Sequence, residues 1–446
     1  MALKLKEYGF NNVSCLHGGF REWTKAQYPV EDAQAGSKKD CLSCHTEVTP
    51  GIVQDWKLSK HAKADVGCAV CHGNHHMAPD DFDLAVPVHP DRCGMCHQVQ
   101  STQFKKGKHA RAWAVMKAMP TAHRMPTGLS EGTKGCGGCH RIGYKTEAEI
   151  RELKASGAGF GYVSCDVCHT RHTFSKKEAS QPQACQTCHM GFDHAQWEMY
   201  STSKHGVRYL LRQMGVLHEK SSAPTCQTCH MQEGNHAVRT AWGFLAVRLP
   251  LPGNKRAAEA RTTILQALGV LDPQGKPTAR LDLVKKLDMA RLTQEDWVEE
   301  RIKMIKTCNA CHARNFASAE LEKGDDMILE ADLLLAEAIR IIADLYKDGY
   351  LQKPKTYASP FPDFLAFHDA PTAIEQRLWI MFQEHRMRTF QGAFHANPDY
   401  TFWHGWSPMQ ADVIAIKEMA KDIRVRVVPT GKQKPGAPRM DDPRRH

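Results

Sequence analysis

Residues 165–206 read CDVCHTRHTFSKKEASQPQACQTCHMGFDHAQWEMYSTSKHG. Twice in this stretch, at Cys165, Cys168 and His169 and again at Cys185, Cys188 and His189, two cysteines three positions apart are followed at once by a histidine. The pattern has a chemical reason. Two thiols at that spacing can add to both vinyl groups of one porphyrin, and the adjacent histidine is then held beneath the iron as its proximal ligand. Outward from here the run recurs at Cys41, Cys44, His45; Cys68, Cys71, His72; Cys93, Cys96, His97; and Cys136, Cys139, His140. It appears twice more, at Cys226, Cys229, His230 and Cys308, Cys311, His312. Eight such runs use all but one of the 17 cysteines and predict eight covalently bound haems c. Structural zinc needs paired knuckles and has no reason to place a histidine after every second cysteine. A disulfide framework has no reason to do so either.

The 446 residues amount to about 56 per motif, so much of the interior is expected to be porphyrin. That accounts for a compact chain with 8% aromatics and a mean hydropathy of −0.49. The formal charge of +10 has the same explanation. Each haem adds two propionates and a ferric centre of about +1, which takes the total to about +2 oxidised and about −6 reduced. The basic excess reads as counter-charge for propionates, and nucleic acid is not indicated.

Haem is attached to such motifs outside the cytoplasm, in a periplasm or an equivalent compartment. The first 25 residues hold no apolar signal core, and no run of 18 apolar residues could span a bilayer. An export signal is therefore expected but is not present in this chain, so either it was removed or Met1 is not the biological start. Residues 4–31 resemble the end of a rhodanese-like domain without its cysteine loop, and Cys15 reads as a small buried hydrophobe in a short strand. Residues 1–35 are thus a remnant with no expected sulfurtransferase activity.

The expected fold is mainly α. A loop-rich haem-binding half, 36–240, carries seven motifs and is rich in Gly, Pro and His. A helical half, 241–428, carries the eighth motif and the oligomer contacts, with apolar residues at helical spacing over 255–270, 280–306, 317–347, 371–392 and 407–424. Gly349 marks the stop of the third of these. Residues 429–446, polar and proline-rich, read as a disordered tail.

Electron-transfer haems take two axial ligands, whereas a catalytic haem keeps one position open. Distal candidates recur in similar settings: His61 in SKHAK, His75 and His76 in GNHHM, His89 in PVHPD, His109 in GKHAR, His172 in TRHTF, His205 in SKHG and His236 in GNHAV. Met190 and Met231 directly follow motifs and so share the proximal side. Spacing alone does not say which iron stays open.

The distribution of the motifs and the 165–206 stretch resemble the octahaem hydroxylamine oxidoreductase family over about residues 40–425. The resemblance implies a five-coordinate catalytic fourth haem on Cys136 and Cys139, with His140 proximal. It also implies a distal Asp193–His194 pair, in the run Met-Gly-x-Asp-His after the sixth motif. Oxidising N–H bonds releases protons, so a base beside the open iron makes chemical sense. Two simpler readings stand beside it: Asp193 as a cap for the helix starting near Ala195, and His194 as an axial ligand.

Oxidative members of the family carry a tyrosine from a neighbouring subunit cross-linked to the catalytic porphyrin. Tyr400, in FHANPDYTFWHGWSPMQ, lies in the matching region, where it also reads as a packed aromatic. The family further implies a homotrimer, a periplasmic or anammoxosome-type location, and a cytochrome or other redox partner. The leading expectation is oxidation of hydroxylamine or hydrazine. The alternatives are a nitrite or hydroxylamine reductase lacking the cross-link, and an electron carrier with every iron six-coordinate.

Overall fold

A computed structural model describes residues 33–427 apart from 127–128, 130–134, 156–163, 243–247, 358 and 367–368. The rhodanese-like stretch 4–31, Cys15 and the 429–446 tail lie outside the described residues. Among the described residues there is no strand, only two isolated bridges, and the fold is mainly α. No helix among them is long and apolar enough to cross a membrane.

Contacts divide the chain into two units. One comprises Met1–Val86 with Arg171–Phe174, and the other Pro87–Thr170 with Ser175–His446. The first carries motifs one and two, and the second carries motifs three to eight.

In the second unit, segments up to residue 240 are short helices and turns, whereas the later ones are long. Arg314–Lys347 forms a 34-residue helix, about 50 Å at 1.5 Å per residue. Its Ile328, Leu335, Ile339, Ile342 and Leu345 recur at helical spacing and are wholly buried. It ends where expected, with Lys347 in the last turn and Gly349 at φ +76°. Around it pack the helices Lys255–Ala267, Ala373–Ile380, Met387–Phe394 and Ser407–Arg426.

Two starts in this layer are fixed by caps. The Asn254 side chain accepts from the Ala257 N–H at 3.1 Å, and Thr372 and Glu375 form a capping box.

The expected helix over 280–306 is instead two, Ala279–Lys286 and Gln294–Cys308. Asp288 adopts φ +50°, which no helix interior accepts, and Thr293 caps a new start. The 371–392 segment is helical but widens to a π-turn over Met381–Arg386, and a second π-turn covers Phe402–Trp406. The first is pinned from within: Arg386 donates through Nε and Nη2 to Asp332 at 2.9 and 2.7 Å, and Arg261 donates to the other oxygen at 2.8 Å. All three side chains are buried.

Candidate functional site

The local fold sets the candidate histidines at the starts of short elements. Ser59 and Ser203, both buried, cap the helices Lys60–Lys63 and Lys204–Gln213 by accepting from Ala62 and Gly206. This presents His61 and His205 at equivalent second positions. His109 opens a 3-10 turn, and the His236 N–H is held by Gln103 at 3.1 Å.

Six proximal histidines face a second imidazole. The pairs are His45–His76, His72–His172, His169–His236, His189–His109, His312–His205 and His230–His395, with ring centres 6.0 to 6.4 Å apart. An iron holding two imidazole nitrogens at about 2 Å each spaces the ring centres roughly 6.3 Å apart. The pairs therefore fit a six-coordinate haem.

Tautomers fit as well. Nδ1 of His45 meets Thr49 Oγ1 at 2.8 Å, Nδ1 of His76 meets Asp81 at 2.6 Å, and Nδ1 of His395 meets the Gln391 carbonyl at 2.7 Å. Each contact leaves Nε2 as the ligating atom. Burial pushes His109, His189 and His230 down to about 4, so they are neutral and ready to ligate at pH 7.

Other candidates are placed differently. His75 is exposed beside His76. His89 faces Asp91 and Glu147 at 3.8 and 3.6 Å, and His61 packs edge-on to Phe174 at 5.0 Å. His395 is absent from the sequence-derived set.

The motifs adjoin one another through their thiols. In the first unit Cys41 and Cys68 share a hydrogen bond. In the second, Cys93 meets Cys165, Cys139 meets Cys188, and Cys185 meets Cys226. Cys168 lies close enough to Cys185 and Cys188, and Cys229 to Cys308 and Cys311, for their charges to interact. Motifs three, five, six, seven and eight thus form one row, with the fourth joining at the sixth.

The fourth motif has different surroundings. His140 donates from Nδ1 to the Ala112 carbonyl, 2.9 Å away, which anchors it to the Ala112–Ala118 helix. Cys136 packs on Trp113, Met116 and Leu153. Burial holds His140 below its ordinary value against the Ala112 bond, and the charges of His194 and Asp193 also act on it. His194 Nδ1 pairs with Asp193 Oδ1 at 2.7 Å, and Gln383 Nε2 donates to Oδ2 at 2.9 Å.

Asp193 does not cap the following helix. Ala195 is its N-cap, with no side-chain cap bond. His194 also lies 6.2 Å from His189, a closeness set by the tight turn through Gly191 at φ +90°. Burial works to raise Asp193, but the bond and charge of His194 and the Gln383 donor hold it below its ordinary value. Burial works to lower His194, but the Asp193 bond and charge leave it raised. The π-turn that supplies Gln383 was not foreseen from the sequence.

Tyr400 stacks on His404 at 4.6 Å, in the field of Glu198 and Arg388. Burial, Glu198 and Asp399 raise its phenol, against Arg388.

Eight haem-attachment motifs in an all-helical frame, most with a second imidazole across an iron-sized gap, define a multihaem c-type cytochrome. The comparisons agree: a family model described as "Seven times multi-haem cytochrome CxxCH" matches residues 64–248 and 279–359, and the chain belongs to that family. A model for cytochrome c554 and c-prime matches residues 16–73.

A probable nitrite reductase–hydroxylamine oxidoreductase fusion protein of Kuenenia stuttgartiensis is 26% identical over 86% of this chain and 51% of its own length. The multihaem cytochrome MtrA of Shewanella baltica is 28% identical over 35% of this chain and 46% of its own. The chain spans about half the length of these curated relatives. Among solved structures, a reducing hydroxylamine-oxidoreductase-like protein complex of Kuenenia stuttgartiensis matches with a TM-score of 0.65 at 24% identity, covering 89% of this chain and 88% of that one. A hypothetical multihaem protein matches at 0.64 and 21%, covering 93% and 99%. The chain is a multihaem c-type cytochrome, and its fold resembles that of the reducing hydroxylamine-oxidoreductase-like complex.

Proposed function

We propose that the chain is an oxidoreductase for a small nitrogen compound at the fourth haem, oxidising hydroxylamine or hydrazine. The observation that carries the reading is the Asp193–His194 pair, 2.7 Å apart and bearing on His140, where six other proximal histidines face a second imidazole. Haem iron, when bound, supplies an open coordination position and a one-electron acceptor.

The chain's own residues supply the rest. Each N–H bond oxidised sheds a proton, and His194 takes it at Nε2 while Asp193 holds the imidazole and its charge. Gln383 fixes the second carboxylate oxygen, so the pair is oriented before substrate arrives. The row of adjoining motifs offers the remaining haems as an electron sink that ends at a separate cytochrome or other redox partner.

Eight haems, a homotrimer, and an extracytoplasmic site such as a periplasm or anammoxosome-type lumen belong to the same reading. So does a Tyr400–porphyrin bond made across subunits. A reductive second reading is favoured by the similarity to the reducing complex, in which His194 gives protons instead.

Mass analysis of haem-bearing peptides tests the direction. A Tyr400–porphyrin adduct supports oxidation. An unmodified Tyr400, with hydroxylamine-dependent dye reduction absent, refutes it.

A further inference from the structure

The second unit holds a cluster of cations gathered around the buried Arg291, with Lys108 and Arg239 part-buried. Asp288 sits among three of them: Lys108 Nζ at 3.1 Å, Arg239 Nη2 at 3.2 Å and Arg291 Nη1 at 3.7 Å. Of the other acids that act on Arg291, Glu300 stands 3.6 Å from Arg239 and is also engaged by Lys303 at 3.2 Å, and Asp296 contributes through its charge.

Arg291 is wholly buried, yet its Nε and Nη2 have no hydrogen-bond partner. Burial and the neighbouring Arg239 both disfavour its charge. A guanidinium keeps its proton in any protein, so it cannot escape by neutralising. Two unused donors on one buried fork are the geometry of a missing carboxylate or oxyanion.

The cluster lies beside haem ligands. Arg239 follows His236 by three residues, and the Lys108 N–H donates to the Val238 carbonyl at 2.9 Å. His236 faces His169 of the fifth motif across 6.3 Å.

We propose that Arg291, with Arg239 and Lys108, clamps a propionate carboxylate of the fifth haem. The cluster thereby raises that haem's reduction potential, because buried positive charge disfavours the ferric state. A free oxyanion such as nitrite shares the chemistry and is the competing occupant.

The test is a potentiometric titration of the holoprotein, followed in the Soret band, for wild type, Arg291→Gln and Asp288→Asn, with haem-peptide masses as the loading control. Arg291→Gln removes a cation. One one-electron step should move down by about tenfold in its equilibrium, which is about 59 mV for one electron. Asp288→Asn removes an anion and should move the same step up. Opposite signs at one haem are not what a purely structural role produces.

Fully loaded variants whose steps stay in place overturn the proposal. It is also overturned if saturating nitrite or phosphate shifts that step in wild type and the shift disappears in Arg291→Gln, since the occupant is then exchangeable. Should Arg291→Gln not accumulate as holoprotein, Asp288→Asn, at a side chain 36% exposed, decides alone. An upward shift supports the clamp and an unmoved step overturns it.

Discussion

His194→Ala is the most informative change at the fourth haem. The side chain pairs with Asp193 at 2.7 Å, and its ring centre lies 6.2 Å from that of His189, which also faces His109. Its loss should leave haem attachment intact. A positioned general base contributes about 10²- to 10⁴-fold to rate, or roughly 3 to 5 kcal/mol at 1.36 kcal/mol per tenfold. In His194→Ala the Asp193 carboxylate survives and can work through water, so a loss near the lower end, about 10²-fold, is expected. Adding Asp193→Asn should bring the upper end, and the two effects should not sum, because the residues act as a unit.

The pH profile gives the direction of the reaction. Asp193 raises His194, so in wild type the limb lies above histidine's ordinary value. In oxidation the neutral imidazole is the working form, and kcat/KM rises with pH through that limb. In reduction the imidazolium works, and the rate falls through it. Asp193→Asn removes the raising influence, leaves burial, and should move the limb to lower pH in either case. Hydroxylamine-dependent dye reduction from pH 5 to 9, on protein with verified haem masses, is the assay. Turnover of fully loaded His194→Ala within twofold of wild type would refute the assignment of the proton acceptor.

Three further outcomes follow from the geometry. His395→Ala deprives His230 of its facing ring, so electron paramagnetic resonance should show one additional high-spin haem at unchanged haem content. An unchanged spin count places the ligand elsewhere. Asp332→Ala leaves Arg261 and Arg386 buried without their carboxylate, a loss of about 3 to 5 kcal/mol, visible as earlier thermal unfolding; a melting curve matching wild type contradicts the triad's role. Tyr400→Phe should abolish any porphyrin–tyrosine adduct in peptide mass spectra while leaving the CxxCH adducts in place. An adduct that persists assigns the bond to another residue.

The attachment chemistry was legible in the sequence because it is local: five residues carry both the thioether spacing and the proximal ligand. Distal ligands are not local, and the sequence could only nominate them. It placed His76, His109, His172, His205 and His236 among the candidates, and each now faces a proximal ring. It could not choose His76 over His75, since that choice rests on the Asp81 carboxylate waiting at 2.6 Å. His395 was missed because its partner, His230, lies far away in the chain, and its surroundings read as the neighbourhood of Tyr400. Helical periodicity located the long buried helix almost to its ends. It ran through Asp288, where one left-handed residue breaks the pattern without disturbing the apolar spacing. Gln383 gave no signal at all, because a π-turn has no hydrophobic signature.

That turn has a consequence for how such a fold can diverge. A π-turn is an α-helix carrying one surplus residue. Deleting a single codon anywhere in 381–386 would let the hydrogen bonds close in the ordinary α pattern and swing residues within the turn by about 100°, while the helix beyond keeps its orientation. Gln383 or Arg386 would then leave its register, and one of the two anchors, to Asp193 or to Asp332, would be lost. The pair proposed to handle protons is therefore exposed to a length change in a helix distant along the chain from any haem motif. A one-residue change there would leave every CxxCH run intact and still remove a support of that pair.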